Sequence, residues 1–216
     1  MNDFVPKRHD FIEDLYKPLS SELSELRRVN EENGIPLILR ETEDMLSVIL
    51  DMHKPLSILE IGTAYGYSSI FFALKCPDAH ITTIERSDKM LENAKTNFEK
   101  FGLTDRIEIL EGDAEEMLRG LSDDSKFDFV FIDAAKTHYR EYFDLSFEHM
   151  NKGAVIVCDD VLIKGWIYDS SLPGSKRHRT SVKYMKSFLE YIKSREDLSV
   201  AITGSADGLA IIKLNE

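Results

Sequence analysis

One stretch near the end of the first quarter of the chain strongly constrains the fold. Residues 57–69 read SILEIGTAYGYSS, an apolar run followed by a loop bounded by Gly62 and Gly66 and then by a second apolar series. This order predicts a β-strand, a tight loop and a helix. Glycine adopts dihedral angles closed to other residues, and the first turn of a helix presents unpaired N–H groups to a ligand. A lone loop of this kind remains weak evidence, because many α/β proteins use one only to turn a corner.

Glu85 strengthens the interpretation of that loop as a ligand site. It lies about twenty residues beyond the loop, at the end of a second β-like run over residues 81–84. An acidic side chain at this position can accept hydrogen bonds from both hydroxyls of a ribose. The loop and Glu85 together predict a site for a nucleoside cofactor.

Strand-like and helical patterns alternate along most of the chain. The strand-like runs are residues 57–61, 81–84, 107–110, 127–132, 154–158, 198–202 and 209–214. The alternation indicates a mostly parallel sheet covered on both faces, whereas the short connection between the last two runs indicates an antiparallel hairpin. We therefore expect an α/β fold, a three-layer Rossmann-like sheet of seven strands with a C-terminal antiparallel hairpin and N-terminal helices. The hairpin favours the methyltransferase variant of this architecture over a dehydrogenase domain.

Length and composition favour a single domain. The chain has 216 residues, of which 43% are hydrophobic, enough for one good core. We expect a helical cap at residues 1–54, kinked or divided at Pro18, and an α/β core at residues 55–216. The cap could cover the active site, form a subunit interface or simply pack on the core.

Charge and cysteine content exclude some classes of partner and compartment. A net charge of −12 argues against broad non-specific binding to nucleic acid or anionic membranes, although a local basic patch can still bind. No run approaches the apolar length of a membrane span, and two cysteines in unrelated contexts fit a reducing compartment. We expect a cytoplasmic protein without a membrane partner.

Acidic residues end several of the predicted strands. They are Glu85, Asp113, Asp133, Asp159 and Asp160. Because the carboxyl ends of parallel strands share one edge of the sheet, these side chains should converge there, with Glu85 and Asp113 suited to the ribose and adenine of the cofactor. The other three would repel one another unless a cation neutralised them, and an all-oxygen set suits Mg²⁺, Mn²⁺ or Ca²⁺ rather than Zn²⁺. The plainer alternative for each aspartate is capping of the helix that follows its strand.

Lys136 follows Asp133 by three residues. A divalent cation nearby would disfavour its ammonium form and lower its pKa, so that it could take a proton from a substrate. Considered alone, Lys136 is more simply a solvated surface lysine.

The matching segments cover nearly the whole chain and resemble the metal-dependent class I O-methyltransferases, the group that holds catechol and caffeoyl-CoA O-methyltransferases. They are residues 59–68 (LEIGTAYGYS), 84–85 (IE), 112–114 (GDA), 131–136 (FIDAAK) with Tyr139, and 159–162 (DDVL). A closer similarity to the bacterial branch that includes the tRNA 5-hydroxyuridine methyltransferase is carried by residues 61–64, 132–136, 164–165, 176–179 and 207–210.

The resemblance implies a cofactor, S-adenosylmethionine (SAM), a Mg²⁺ ion and a homodimer. The residues that it implies for cofactor binding are Glu60, Gly62, Thr63, Gly66, Ser68, Glu85, Asp113, Ala114 and Asp133. It implies Asp133, Asp159 and Asp160 as metal ligands and Lys136 as the base. The family commonly has asparagine where this chain has Asp160, so the extra negative charge could change metal preference or affinity.

The methyl acceptor is not decided by these residues, because a catechol and 5-hydroxyuridine both present two adjacent oxygens to a cation. A basic run at residues 176–179 favours tRNA, and we expect Lys164, Trp166, Arg177 and Arg179 to contact the substrate. A solvated basic helix start is an equal alternative for the run, and Trp166 could be a core residue. Small catechol-like acceptors remain open, as does a SAM-binding or RNA-binding module without turnover.

Overall fold

The protein is described here by a computed structural model that covers residue 11 and residues 13–215. The strands are β1 (Ser57–Ile61), β2 (His80–Glu85), β3 (Ile107–Glu111), β4 (Phe127–Ile132), β5 (Met150–Cys158), β6 (Leu198–Ile202) and β7 (Ala210–Leu214). The helices are α1 (Ser21–Glu32), α2 (Arg40–His53), α3 (Tyr67–Lys75), α4 (Asp88–Lys100), α5 (Ala114–Arg119), α6 (Tyr139–Phe147) and α7 (Arg179–Ser194). The beginning of the expected N-terminal helical segment, residues 4–10 and residue 12, lies outside the described residues.

The seven strands form one sheet in the order β3-β2-β1-β4-β5-β7-β6. Strands β1 to β5 pair in parallel, and β7 pairs antiparallel with both β5 and β6. The predicted mostly parallel sheet with a C-terminal antiparallel hairpin is confirmed. The winding reverses between β1 and β4, which places the crevice typical of ligand sites at the carboxyl ends of these two strands.

Alternate side chains of the central strands fill two cores, one on each face of the sheet. In β4, Phe129 and Phe131 pack with α1 to α4, whereas Val130 and Ile132 pack with α6 and α7. This two-residue period is the one expected of a strand buried on both sides. It gives the three-layer architecture predicted from the strand and helix pattern.

Helix boundaries follow local signals in the sequence. Ser20 caps α1, because its Oγ accepts a hydrogen bond from the Leu23 amide at 3.1 Å. In α7, Met185, Phe188 and Ile192 are buried at spacings of three and four residues, as an amphipathic helix requires. No helix within the described ranges is both long and apolar enough to cross a bilayer.

Strand β5 begins earlier than its apolar run predicts. The run starts at Ala154, but the strand starts at Met150 and contains Gly153 with a φ of 72°. The pairing with β4 shifts register between Phe127 and Phe129. A glycine in the left-handed region accommodates this irregularity, so Gly153 lies within the strand and does not end the loop before it.

Candidate active site

Steric contacts account for both glycines of the loop after β1. Gly62 has a φ of 107°, and a Cβ atom built on it would lie 2.1 Å from the main-chain oxygen of Asp133. Gly66 has a φ of 80°, and its Cβ would lie 2.4 Å from a ring carbon of Phe98. Neither position admits a side chain without displacing its neighbour.

Glu85 holds this loop from the end of β2. Its Oε2 accepts a hydrogen bond from the Ala64 amide at 2.9 Å, and its Oε1 accepts from the amides of Arg86 and Ser87 at 3.0 and 2.9 Å. Ala64 itself lies in the left-handed region, with a φ of 47°. The carboxylate therefore stabilises an unfavourable backbone conformation at the point where β1 and β2 open into a cavity.

That cavity has a volume of about 290 Å³ and is bordered by the loops after β1 to β4. The predicted cofactor residues that line it are Gly62, Thr63, Ser68, Glu85, Asp113, Ala114 and Asp133. Sequence reasoning missed the wall made by Pro36, Leu37 and Ile38, together with Tyr67 and Tyr142. The first three residues precede the glycine loop by more than twenty positions, and no motif marked them.

Arg27 of α1 holds two of these cavity residues, Ile38 and Tyr67, in place. Its buried guanidinium donates hydrogen bonds to the Ile38 carbonyl at 3.1 Å, the Tyr67 hydroxyl at 3.1 Å and the Glu43 carboxylate at 2.6 Å. Tyr67 and Tyr16 also donate to Glu43. The N-terminal helices thus supply part of the cavity through a buried ion pair.

Glu60 and Gly66 are absent from the lining of the cavity. Glu60 is fully buried behind it, where its Oε2 accepts hydrogen bonds from Ser69 and, at 2.6 Å, from Thr83. Its Oε1 has no hydrogen-bond partner in the described part of the chain. Burial raises the pKa of Glu60 to about 7.

Asp113 has both of the roles considered for it. It caps α5, accepting a hydrogen bond from the Glu115 amide at 3.0 Å, and it also lines the cavity. Arg86 lies 3.7 Å from its other carboxylate oxygen. Capping therefore fixes the side chain without removing it from the cavity.

The aspartates at the ends of β4 and β5 converge around the ammonium of Lys136. Its Nζ lies 2.9 Å from Asp133 Oδ1 and 3.2 Å from Asp160 Oδ2, and it donates to the Tyr139 hydroxyl at 2.8 Å. Tyr139 in turn donates to the main-chain oxygen of Asp159 at 2.8 Å. The structure therefore brings together the acids that the sequence places at separate strand ends.

Asp159 is the most deeply buried of these acids, with 3% of its surface exposed. Its Oδ1 accepts a hydrogen bond from the Asp160 amide at 2.7 Å. Burial, and then the charges of Asp133 and Asp160, raise the pKa of Asp159 well above its usual range. Asp160 has a φ of 56°, in the left-handed region that aspartate and asparagine tolerate better than most residues.

The chemistry of this donor set fits a hard divalent cation. The charge of Asp133 helps to raise the pKa of both Asp159 and Asp160, and all three side chains offer only oxygen ligands. Within the described ranges, however, no group of three or more acidic, histidine or cysteine side chains is already arranged around a metal position. The Lys136 ammonium lies where two of the carboxylates meet, so a cation would have to replace its contacts with them.

The expected fall in the pKa of Lys136 depends on a neighbouring cation and stays a prediction. Burial by itself would lower the pKa, but Tyr139 and the charges of Asp133 and Asp160 outweigh burial and raise the pKa well above its usual value. The prediction took a cation as the nearest charge, whereas the nearest charges in the structure are carboxylates. Lys136 is therefore a charged partner of the acids in this conformation.

Two of the four expected substrate residues share one groove, and the other two do not line it. Trp166 and Arg179 line a groove of about 660 Å³ beside α7, together with Lys176, Lys183 and Lys186. Arg177 and Lys164 are not among its lining residues. Lys164 lies instead in the loop that follows Asp160, near enough to influence the pKa of that carboxylate.

Trp166 is a fixed part of the groove wall. Its indole nitrogen donates to the Pro173 carbonyl at 3.0 Å, and its ring stacks on His178 with centroids 4.4 Å apart. One ring face is thus already covered, which limits the stacking on a base or aromatic substrate that the sequence suggested for Trp166.

The profile of the O-methyltransferase family matches residues 15–214, and the chain belongs to this family. It is 32% identical over 145 residues to the catechol O-methyltransferase of Niastella koreensis, an alignment that covers 65% of this chain and 66% of that protein. Alignments to two further relatives span about half of their lengths. The resemblance to the family is confirmed, whereas its tRNA branch is not distinguished by these relatives.

Solved structures share the fold over almost the full chain. A Staphylococcus aureus protein provisionally assigned as a caffeoyl-CoA O-methyltransferase matches with a TM-score of 0.89 and 31% identity, covering 96% of this chain and 99% of that one. An O-methyltransferase of Bacillus cereus in complex with SAH matches with a TM-score of 0.83 and 26% identity, covering 97% of each chain. The cavity and the carboxylate cluster therefore lie in a methyltransferase fold.

Proposed function

We propose that the protein is a SAM-dependent O-methyltransferase that uses a divalent cation and acts on an acceptor with two adjacent oxygens. One observation carries the proposal. Asp133 lines the cavity and also contacts Lys136 in the carboxylate cluster. A nucleoside cofactor in the cavity and an acceptor at the cluster would therefore be neighbours, as a direct transfer between them requires.

The cofactor assignment is supported by the shape of the cavity and by related proteins. Two glycines without room for a Cβ allow close approach to the backbone, and Glu85 is fixed at the end of β2 near the expected ribose. The Bacillus cereus neighbour binds SAH. When bound, SAM would supply an activated methyl group and the cation would supply positive charge that favours the acceptor oxyanion.

The residues of the chain would orient the reactants and handle the proton. Asp133, Asp159 and Asp160 would hold Mg²⁺, with Mn²⁺ or Ca²⁺ as alternatives that also prefer oxygen ligands. Lys136 would receive the acceptor proton at Nζ only in its neutral form, so its ammonium would first release a proton to solvent, a loss that the contacts with Asp133 and Asp160 oppose. Tyr139 would keep Nζ close to the cluster throughout.

We propose 5-hydroxyuridine at the wobble position of tRNA as the acceptor, with catechol-like molecules as the alternative. Four basic residues line the groove beside α7 in a chain with a net charge of −12, and such a patch suits phosphates. The alternative is supported by the name of the Niastella koreensis relative, a catechol O-methyltransferase.

The test is methyl transfer from labelled SAM to tRNA that carries 5-hydroxyuridine and to a panel of catechols, with Mg²⁺ or with a chelator. We expect transfer that the chelator abolishes and that Lys136→Ala lowers at least a hundredfold, in line with the usual contribution of a general base. Lys126→Ala is the matched control, since Lys126 is exposed, its ammonium donates to the Glu148 carbonyl at 2.9 Å, and it does not line the cofactor cavity. Transfer to catechols alone would reject the tRNA acceptor. Binding of SAM without turnover on any acceptor would favour a binding module.

A further inference from the structure

The loop that follows β5 has a backbone conformation that its own residues do not favour. Asp160, Ile163 and Lys164 have φ angles of 56°, 50° and 55°. Residues other than glycine rarely adopt this left-handed region, and a β-branched isoleucine there is a marked outlier. Such a conformation persists only where the surrounding structure imposes it.

The turn between β6 and β7 supplies that constraint. The Val161 amide donates to the Gly208 carbonyl at 3.0 Å, and the Leu162 amide donates to the Asp207 carbonyl at 2.9 Å. The Lys164 amide lies 2.6 and 2.8 Å from the two carboxylate oxygens of Asp207. Burial raises the pKa of Asp207 to about 6, so its carboxylate is largely ionised at neutral pH and the contact at Lys164 is then stronger than one to a neutral group.

The turn is itself fixed on its other side. Glu41 of α2 accepts hydrogen bonds through Oε2 from Ser205 Oγ at 2.6 Å and from the Ala206 amide at 2.8 Å. Gly208 has a φ of 83°, and a Cβ built on it would lie 2.3 Å from Cγ of Leu162. The turn is therefore held by hydrogen bonds to α2, and the loop after β5 packs closely against it.

We propose that Asp207 is a positioning residue that, through the Lys164 amide, holds residues 160–165 so that the Asp160 carboxylate faces Asp133 and Lys136. The proposal rests on the proposed cation site, since its consequence is the placement of one of the three ligands. Asp207 does not line the cofactor cavity. Its loss should therefore weaken cation binding and leave cofactor binding unchanged.

An alternative role for Asp207 is purely electrostatic, because its charge acts on that of Asp160. Asp207→Asn separates the two roles. Asparagine keeps an acceptor oxygen for the Lys164 amide but carries no charge. If the role is geometric, Asp207→Asn retains most of the function that Asp207→Ala loses.

The experiment compares the wild-type protein with Asp207→Ala, Asp207→Asn and the matched control Asp169→Ala. Asp169 also accepts a hydrogen bond from a main-chain amide, that of Ser171 at 2.8 Å, in the same β5–α7 connection, but this hydrogen bond is exposed to solvent. Three quantities are measured: hydrogen exchange of the Lys164 amide by NMR, Mn²⁺ affinity by electron paramagnetic resonance, and SAH affinity by calorimetry.

We expect Asp207→Ala to speed exchange at Lys164 and to weaken Mn²⁺ binding, each about tenfold, as the loss of a charged hydrogen bond implies. SAH affinity should stay within about twofold of wild type, since a twofold change corresponds to less free energy than the loss of one hydrogen bond. Asp207→Asn should lie between wild type and Asp207→Ala, and Asp169→Ala should match wild type.

Unchanged exchange at Lys164, unchanged Mn²⁺ affinity or a parallel loss of SAH affinity in Asp207→Ala would overturn the proposal. Equal defects in Asp207→Asn and Asp207→Ala would assign the role to charge and would also overturn it. A wild-type protein that binds no Mn²⁺ would refute the proposed cation site, whereas the exchange at Lys164 still reports separately whether Asp207 holds the loop.

Discussion

Replacement of Gly62 by alanine tests the geometry on which the cofactor cavity depends. The substitution has two costs: a side chain at a φ of 107° and a Cβ placed 2.1 Å from the main-chain oxygen of Asp133. The first cost is about 1–2 kcal/mol for a residue forced into a left-handed backbone. The second adds about 1–3 kcal/mol, because the obstructing atom belongs to the backbone and cannot rotate away.

The control is Gly102→Ala. Gly102 also has a positive φ, 65°, but a Cβ there would meet nothing within 4 Å. It therefore has the conformational cost alone, and we expect Gly62→Ala to be less stable than Gly102→Ala by about 2 kcal/mol.

The assay is urea unfolding of both variants, with SAH binding followed by calorimetry. Because Asp133 must move to admit the new methyl group, Gly62→Ala should also bind SAH at least tenfold more weakly, a change of about 1.4 kcal/mol. Equal stability of the two variants, or wild-type SAH affinity in Gly62→Ala, would refute the reasoning.

Three further predictions concern buried charge and exposed apolar surface. The pKa of Glu60 is raised from 4.5 to about 7 in the folded protein. The free energy of unfolding of the wild type, relative to that of Glu60→Gln, should therefore fall by about 3 kcal/mol as the pH rises from 4.5 through 7. Urea unfolding of both proteins at pH 5 and 8 checks the sign. Arg27→Met should cost about 3 kcal/mol in urea unfolding by leaving buried Glu43 without its cation, and Arg27→Met with Glu43→Leu should recover part of it. Val48 and Met52 are 58% and 81% exposed on one face of α2, so we expect this face to form the interface of the homodimer and Met52→Glu to dissociate it. The molar mass from light scattering checks this, and a monomeric wild-type protein would contradict it.

The sheet was predictable because its signals are local. A buried strand such as β4 reads as an apolar run that Asp128 alone interrupts, and the short turn before β7 dictates an antiparallel pair. The convergence of Asp133 and Asp159 followed from a general property of parallel strands, whose carboxyl ends meet at one edge. These inferences needed only chain order and residue type.

The remaining features depend on contacts between distant segments. Ile38 lines the cavity, where its carbonyl accepts a hydrogen bond from Arg27, and no sequence pattern near either residue indicates this contact. The pKa of Lys136 depends on which charges lie nearest, a matter of tertiary distance. Lys164 and Arg179 are both basic, yet Arg179 lines the groove beside α7, whereas the main chain of Lys164 is hydrogen-bonded to Asp207.

The most direct test of the account uses SAM with a ¹³C-labelled methyl group, bound to the protein and observed by NMR while Mn²⁺ is added. If Asp133 is shared by the cofactor cavity and the cation site, the paramagnetic ion should broaden the methyl resonance of bound SAM, and Asp159→Ala, which removes the ligand oxygens, should prevent the broadening. A methyl resonance that stays sharp while the protein binds both Mn²⁺ and SAM would contradict the account.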